Sequence, residues 1–108
     1  VYEARGALFF GAADTLELLS RAHIEGQKIA ILDLDHVIYM DSTAASTLET
    51  VLYELYGRSI MLLVCNAHPQ PASLMRRAGL IDAMGPHSLH ATRADALARA
   101  QELLAAKN

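Results

Sequence analysis

Asp33 and Asp35 close the apolar run "ILDLD", two carboxylates at the end of a strand-like stretch. Such a pair could supply a nucleophile and an acid/base for phosphoryl transfer. That chemistry needs Mg²⁺ held by further acids and a lysine to steady the transferring group. The lysines are Lys28, upstream of the pair, and Lys107, in the tail. The later acids, Asp41, Glu49, Glu54, Asp82, Asp95 and Glu102, include no adjacent two. The aspartates therefore read as carboxylates on a solvated turn.

A metal centre is the next candidate, because the chain has five histidines: His23, His36, His68, His87 and His90. None forms a His-x₃-His pair, and the single cysteine, Cys65, has no partner at finger spacing. His87 and His90 fall in a loop-to-strand region where a spacing of three fixes no common face. They read as surface or capping residues, and neither a metal nor another cofactor is expected.

The third candidate is "YMDSTAAST", Tyr39 to Thr47. Its hydroxyls, Ser42, Thr43, Ser46 and Thr47, lack the Gly-x-Ser-x-Gly elbow of a serine hydrolase, and the chain has no Gly-x₄-Gly-Lys phosphate loop. Two roles remain. Asp41 or Ser42 can cap a helix, a contribution of about 1 kcal/mol. Ser42 or Thr43 can also face solvent there and carry a phosphate, which the helix dipole favours and Asp41 opposes.

These residues must be positioned by the elements around them. Val1 to Phe10 reads as one strand containing Gly6, and Gly11 closes it. A helix follows, capped by Asp14 with Glu17 three positions on and ended by Gly26. "KIAILDLD" and "SIMLLVCN" are unbroken apolar runs of strand length, the pattern of strands covered on both faces. Between them Ala44, Ala45, Leu48, Val51, Leu52 and Leu55 form one helical stripe that Gly57 stops. "AHPQPASLMRRAG" has prolines at a helix start, Leu74 and Ala78 inward and Gly79 as terminator. A short strand around Ser88 to His90 precedes a last helix, begun by Thr92 with Asp95 and burying Leu97, Ala100 and Leu104.

Alternating strands and helices give an α/β fold, a mixed and mainly parallel central sheet flanked by about four helices. This order puts Asp41–Ser42–Thr43 where a central strand's carboxyl end turns into a helix, the edge at which open α/β sheets bind ligands. At 108 residues the chain is one domain, 1–108. A net charge of -3 supplies no basic face for nucleic acid. One cysteine excludes an internal disulfide and fits a reducing compartment. No run reaches the ~18 apolar residues of a membrane span. No signal peptide is visible, and an opening Val1 close to strand-like sequence suggests a domain cut from a longer protein.

A strand, Asp-Ser-Thr opening an amphipathic helix, the buried strand "IMLLVCN" and then "LMRRAGL" resembles the STAS domain over roughly Ala4 to Leu104. That domain is shared by bacterial anti-sigma-factor antagonists and the cytoplasmic C-terminal tails of SulP-type anion transporters. "GALFFGAA", Gly6 to Ala13, is similar to the transporter branch. Antagonists typically carry an aspartate at the position of Phe9 or Phe10 and read Asp-Ser-[Ser/Thr]-Gly, where this chain has Ala44. The resemblance implies a non-enzymatic regulatory and interaction module of a SulP-type secondary anion transporter of the sulfate, bicarbonate or dicarboxylate class. It would sit on the cytoplasmic face of the bacterial inner membrane. Its partners would be the transporter's own membrane domain, a second transporter in a homodimer and a cytoplasmic protein. Some STAS domains bind nucleotide, so a weak nucleotide ligand is a further expectation. The implied contact surface is Tyr39, Met40, Asp41, Ser42, Thr43, Ser46 and Thr47, with Ser42 as the candidate phosphosite. One of Phe9 and Phe10 is expected in the core; the other, if exposed, would be a contact point. A stand-alone antagonist switched by phosphorylation of Ser42 is the alternative.

Overall fold

In the computed structural model, which describes residues 2–4, 7–14, 28–85 and 88–106, five strands form one sheet. They are β1 (Tyr2–Ala4), β2 (Ala7–Gly11), β3 (Ile29–Asp33), β4 (Met61–Cys65) and β5 (Leu89–His90), in spatial order β1-β2-β3-β4-β5. β1 runs antiparallel to β2, and β2 to β5 are mutually parallel. The described helices are α1 (Ser42–Gly57), α2 (Pro69–Arg77), α3 (Leu80–Met84) and α4 (Arg93–Ala106). The fold is thus the mixed, mainly parallel α/β sheet expected. Of the helix read from Asp14 to Gly26 only Asp14 is described, at the end of a 3₁₀ turn (Ala12–Asp14) with its Oδ2 accepting from the Gly11 amide at 3.0 Å; Glu17 and the rest of that span, with His23 and His87, lie outside the described residues.

The unbroken apolar runs follow from two-sided burial. Successive strand side chains point to opposite faces, so Leu8, Phe10, Ala30, Leu32, Leu62 and Val64 pack beneath α1, α2 and α3. Ala7, Phe9, Ile29, Ile31, Leu63 and Cys65 pack on the other face against α4. Phe9 and Phe10 are therefore both buried, at 3% and 2% exposure, and neither is a contact point.

Several sequence expectations change at this level. The single strand expected over Val1 to Phe10 is replaced by the two antiparallel strands β1 and β2, with Ala4 opposite Ala7. Ala78 is exposed because it caps α2 from beyond its last turn; Pro71, Ala72 and Met75 form that helix's buried side. Gly79, at φ 79°, does end the turn, but it also starts the short helix α3. On α4 the fully buried positions are Ala96 and Ala100, whereas Leu97 and Leu104 are only partly covered. Small alanines let that helix lie close to the sheet, and the leucines fill its flanks.

Candidate functional site

Register aligns the ends of the parallel strands: Gly11 is opposite Asp33, Asp33 opposite Cys65, and Cys65 opposite His90. Every loop leaving this row must cross the carboxyl edge of the sheet. Asp33 anchors it. Its Oδ1 accepts from the Asp35 amide at 2.9 Å and from Asn66 Nδ2 at 3.1 Å. Its Oδ2 accepts from Arg93 Nε, and the Arg93 guanidinium lies 5.6 Å over the Phe9 ring. Asn66 reaches Asp33 from a left-handed backbone, φ 58°, a conformation that asparagine tolerates well.

Burial raises the affinity of Asp33 for a proton, but the hydrogen bonds from Arg93, the Asp35 amide and Asn66 outweigh it and hold the carboxyl below its ordinary value of 3.8. Asp33 is therefore an ion-paired strut and not a carboxylate on a solvated turn; that description fits only Asp35, which is exposed. Cys65 is buried, and its thiol is pushed up to about 12 by burial and by the charge of Asp33, so it stays protonated and unreactive.

The segment from Leu34 to Asp41 is pinned along its length. The Leu34 amide donates to the Cys65 carbonyl at 3.0 Å, and the Val37 amide closes a turn onto the Leu34 carbonyl at 3.0 Å. His68 Nε2 lies 2.7 Å from the Asp35 carbonyl. Gln70, in the first turn of α2, clasps Met40 on both sides. Its Oε1 accepts from the Met40 amide at 2.7 Å, and its Nε2 donates to the Met40 carbonyl at 2.8 Å. Gln70→Ala should cost about 1–2 kcal/mol for the two lost bonds. The Met40 amide should then lose most of its hydrogen-exchange protection while the β4 amides keep theirs relative to global unfolding; equal loss at both would contradict a local clasp.

The clasp explains a correction. Met40, expected on the contact surface, is 5% exposed, because Gln70 turns its side chain under α1. There it lines a groove of about 250 Å³ with Leu32, Leu34, Val37 and Leu48. The residue at the surface instead is Ile38, which no sequence pattern singled out: Ile38 is 74% and Tyr39 70% exposed. Nothing in the alternation of "DHVIYM" tells which apolar residues turn outward; the partner that decides it, Gln70, lies thirty positions away.

Asp41 is the N-cap. It has extended backbone, and its Oδ1 accepts from the Ala44 amide at 2.8 Å. Ser42 thus occupies the first helical position, and Ser42, Thr43 and Ser46 are exposed. Thr47 is only partly exposed, and its hydroxyl is engaged, donating to the Thr43 carbonyl at 3.1 Å. Ala44 does not face the core as expected; it is exposed at the open mouth of the groove, and only Ala45 is buried. Ala44 lies in the first turn of α1, where its helical backbone does not require glycine.

The carboxyl edge of this α/β sheet thus carries a pinned loop, an aspartate cap and an exposed hydroxyl pair. Residues 1–96 match the STAS domain family, and the chain belongs to that family. It is 30% identical over 86 residues to the "Putative sulfate transporter YvdB" of Bacillus subtilis (strain 168), covering 79% of this chain and only 16% of that protein. Its fold resembles a sulfate transporter family protein from Wolinella succinogenes, with a TM-score of 0.83, 21% identity and coverage of 96% of this chain and 92% of the other. The SulP transporter STAS domain from Vibrio cholerae is likewise similar, with a TM-score of 0.83, 25% identity and coverage of 97% and 88%.

Proposed function

We propose that this domain is the regulatory and protein-interaction module of a SulP-type anion transporter, held at the cytoplasmic face of a bacterial inner membrane. Its relationship to SulP transporter STAS domains supports that context. The observation that carries the interaction role is the rigid display of Ile38 and Tyr39 beside Asp41, Ser42 and Thr43. Exposed apolar side chains on a pinned backbone lose little entropy on binding, which favours a contact hot spot. A non-enzymatic role agrees with Asp33 being ion-paired and Cys65 protonated. The transporter's membrane domain, a second transporter copy and a cytoplasmic protein are the partners this reading offers, and a weak nucleotide ligand is carried over from the family alone.

The double substitution Ile38→Ala/Tyr39→Ala should leave the unfolding midpoint nearly unchanged and weaken partner binding by about tenfold or more. Isothermal titration against a captured partner reads the second effect; unchanged affinity would remove these residues from the interface.

The antagonist-like reading keeps one observation in its favour. Ser42 is exposed at the first helical position, and its hydroxyl makes no hydrogen bond among the described residues. A phosphate there would gain from the helix dipole and lose to Asp41. Binding by wild type, Ser42→Ala and Ser42→Asp decides the matter: equal affinities make Ser42 a helix-start residue only, and loss confined to Ser42→Asp makes it a switch.

A further inference from the structure

The sheet stops short beside β4. The two-residue strand β5 pairs only with Val64 and Cys65, so among the described residues Met61 and Leu63 have no strand partner on that side. Arg99 and Leu103, one turn apart on α4, cover the gap, and a hollow of about 180 Å³ remains with Met61, Leu63, Met84 and Leu103 as its apolar walls. Its wall beside α3 is fixed. Ser88 Oγ donates to the Met84 carbonyl at 2.6 Å, and Gly85 between them holds φ 105°, a conformation that a side chain would strain. Arg99 is the charged residue in the lining. It is half-buried, and among the described residues it makes no ion pair or hydrogen bond. The acids on α3 and α4, Asp82, Asp95 and Glu102, are exposed, and none of them lines the hollow.

We infer that this hollow binds a compact apolar monocarboxylate, an aryl or branched-chain acid of benzoate size, with Arg99 pairing its carboxylate. Volume sets the apolar part: a cavity of about 150 Å³ takes a benzene ring, and this one is slightly larger. Charge sets the polar part. A guanidinium is always protonated and offers paired N–H donors that match a carboxylate, and Arg99 has no acid of its own to satisfy it. The Ser88 hydroxyl has already given its hydrogen to Met84, so recognition of the anion rests on Arg99. A divalent oxyanion fits poorly. It would meet one cation among four apolar walls and lose hydration that nothing there replaces. No wall of the hollow belongs to the loop of Ile38 and Tyr39, so this site is separate from the proposed contact surface and does not rest on the transporter reading.

The methionines supply the test. Met61 and Met84 line the hollow, whereas Met40 lies in the groove under α1 and Met75 on the buried side of α2. With methyl-labelled methionine in the 108-residue chain, NMR titration with sodium benzoate should shift the Met61 and Met84 methyls saturably and leave Met40 and Met75 in place. Half-saturation is expected near about 1 mM, the range for so small a ligand. Benzyl alcohol, which keeps the ring without the charge, and sodium sulfate, which keeps charge without the ring, should each bind about tenfold more weakly or not at all. Arg99→Gln should weaken benzoate about tenfold and leave benzyl alcohol unchanged, and Arg99→Lys should restore part of the loss. Equal affinity for benzoate and benzyl alcohol would overturn the proposal, as would tighter binding of sulfate or an Arg99→Gln protein that binds benzoate like wild type. Shifts at Met40 in place of Met61 and Met84, or no saturable shift up to about 20 mM benzoate, would overturn it too. The comparison of the three ligands on wild type needs no variant to fold.

Discussion

Phe10→Ala should destabilise the domain by about 3–5 kcal/mol, the range for removing a buried aromatic ring from a packed core. Phe10 belongs to the core layer shared with α1, α2 and α3, with Leu8 on its own strand and Leu32, its register partner, on β3. Phe10→Asp should be worse. A carboxylate there would enter an apolar layer, among Leu8, Leu32 and Leu62, and would either fold protonated or not fold. Chemical denaturation at neutral pH should show Phe10→Ala as a weakened, cooperative folder and Phe10→Asp as largely unfolded. A Phe10→Asp protein as stable as wild type would show that this layer tolerates charge.

The layers were legible in the sequence because they rest on periodicity. Unbroken apolar runs announced strands covered on both sides, and the 3.6-residue stripe of α1 announced one buried helical face. The reversal between β1 and β2 was harder to see, since only Gly6 marks that stretch as anything but one strand. The cap was legible too: Asp41 is a helix-start residue by its own chemistry, whatever surrounds it. The loop was not. Whether Ile38 or Met40 faces water depends on Gln70, and whether Asp33 is solvated depends on Arg93, sixty positions on. Local patterns carry no information about such distant pairings, so the edge of the sheet, its hydroxyls and the exposed Tyr39 were legible, whereas Met40 was expected at the surface and Ile38 was passed over.

Replacing Asp33 by asparagine should cost about 2–3 kcal/mol at neutral pH, and the loss should shrink as the solution becomes acidic. Breaking a buried pair by removing one partner costs about 3–5 kcal/mol, and the half-exposed Arg93 lowers that figure because water can take up part of its charge. The substituted amide could still accept from the Asp35 backbone N–H, but it would no longer offer Arg93 an anionic oxygen, and the tie from the start of α4 to the sheet would weaken. The sign of the pH effect follows from the direction of the shift. A carboxyl held below its unfolded value stabilises the fold above that value and forfeits the contribution as pH falls through its folded value. Wild type should therefore lose stability below pH ~4 more steeply than Asp33→Asn, and the two should converge there. Urea unfolding of both proteins at pH 7, 4 and 2.5 measures the gap. A gap that stays constant across these values would mean that Asp33 acts through packing and neutral hydrogen bonds, and that its charge contributes nothing to holding α4 on the carboxyl edge.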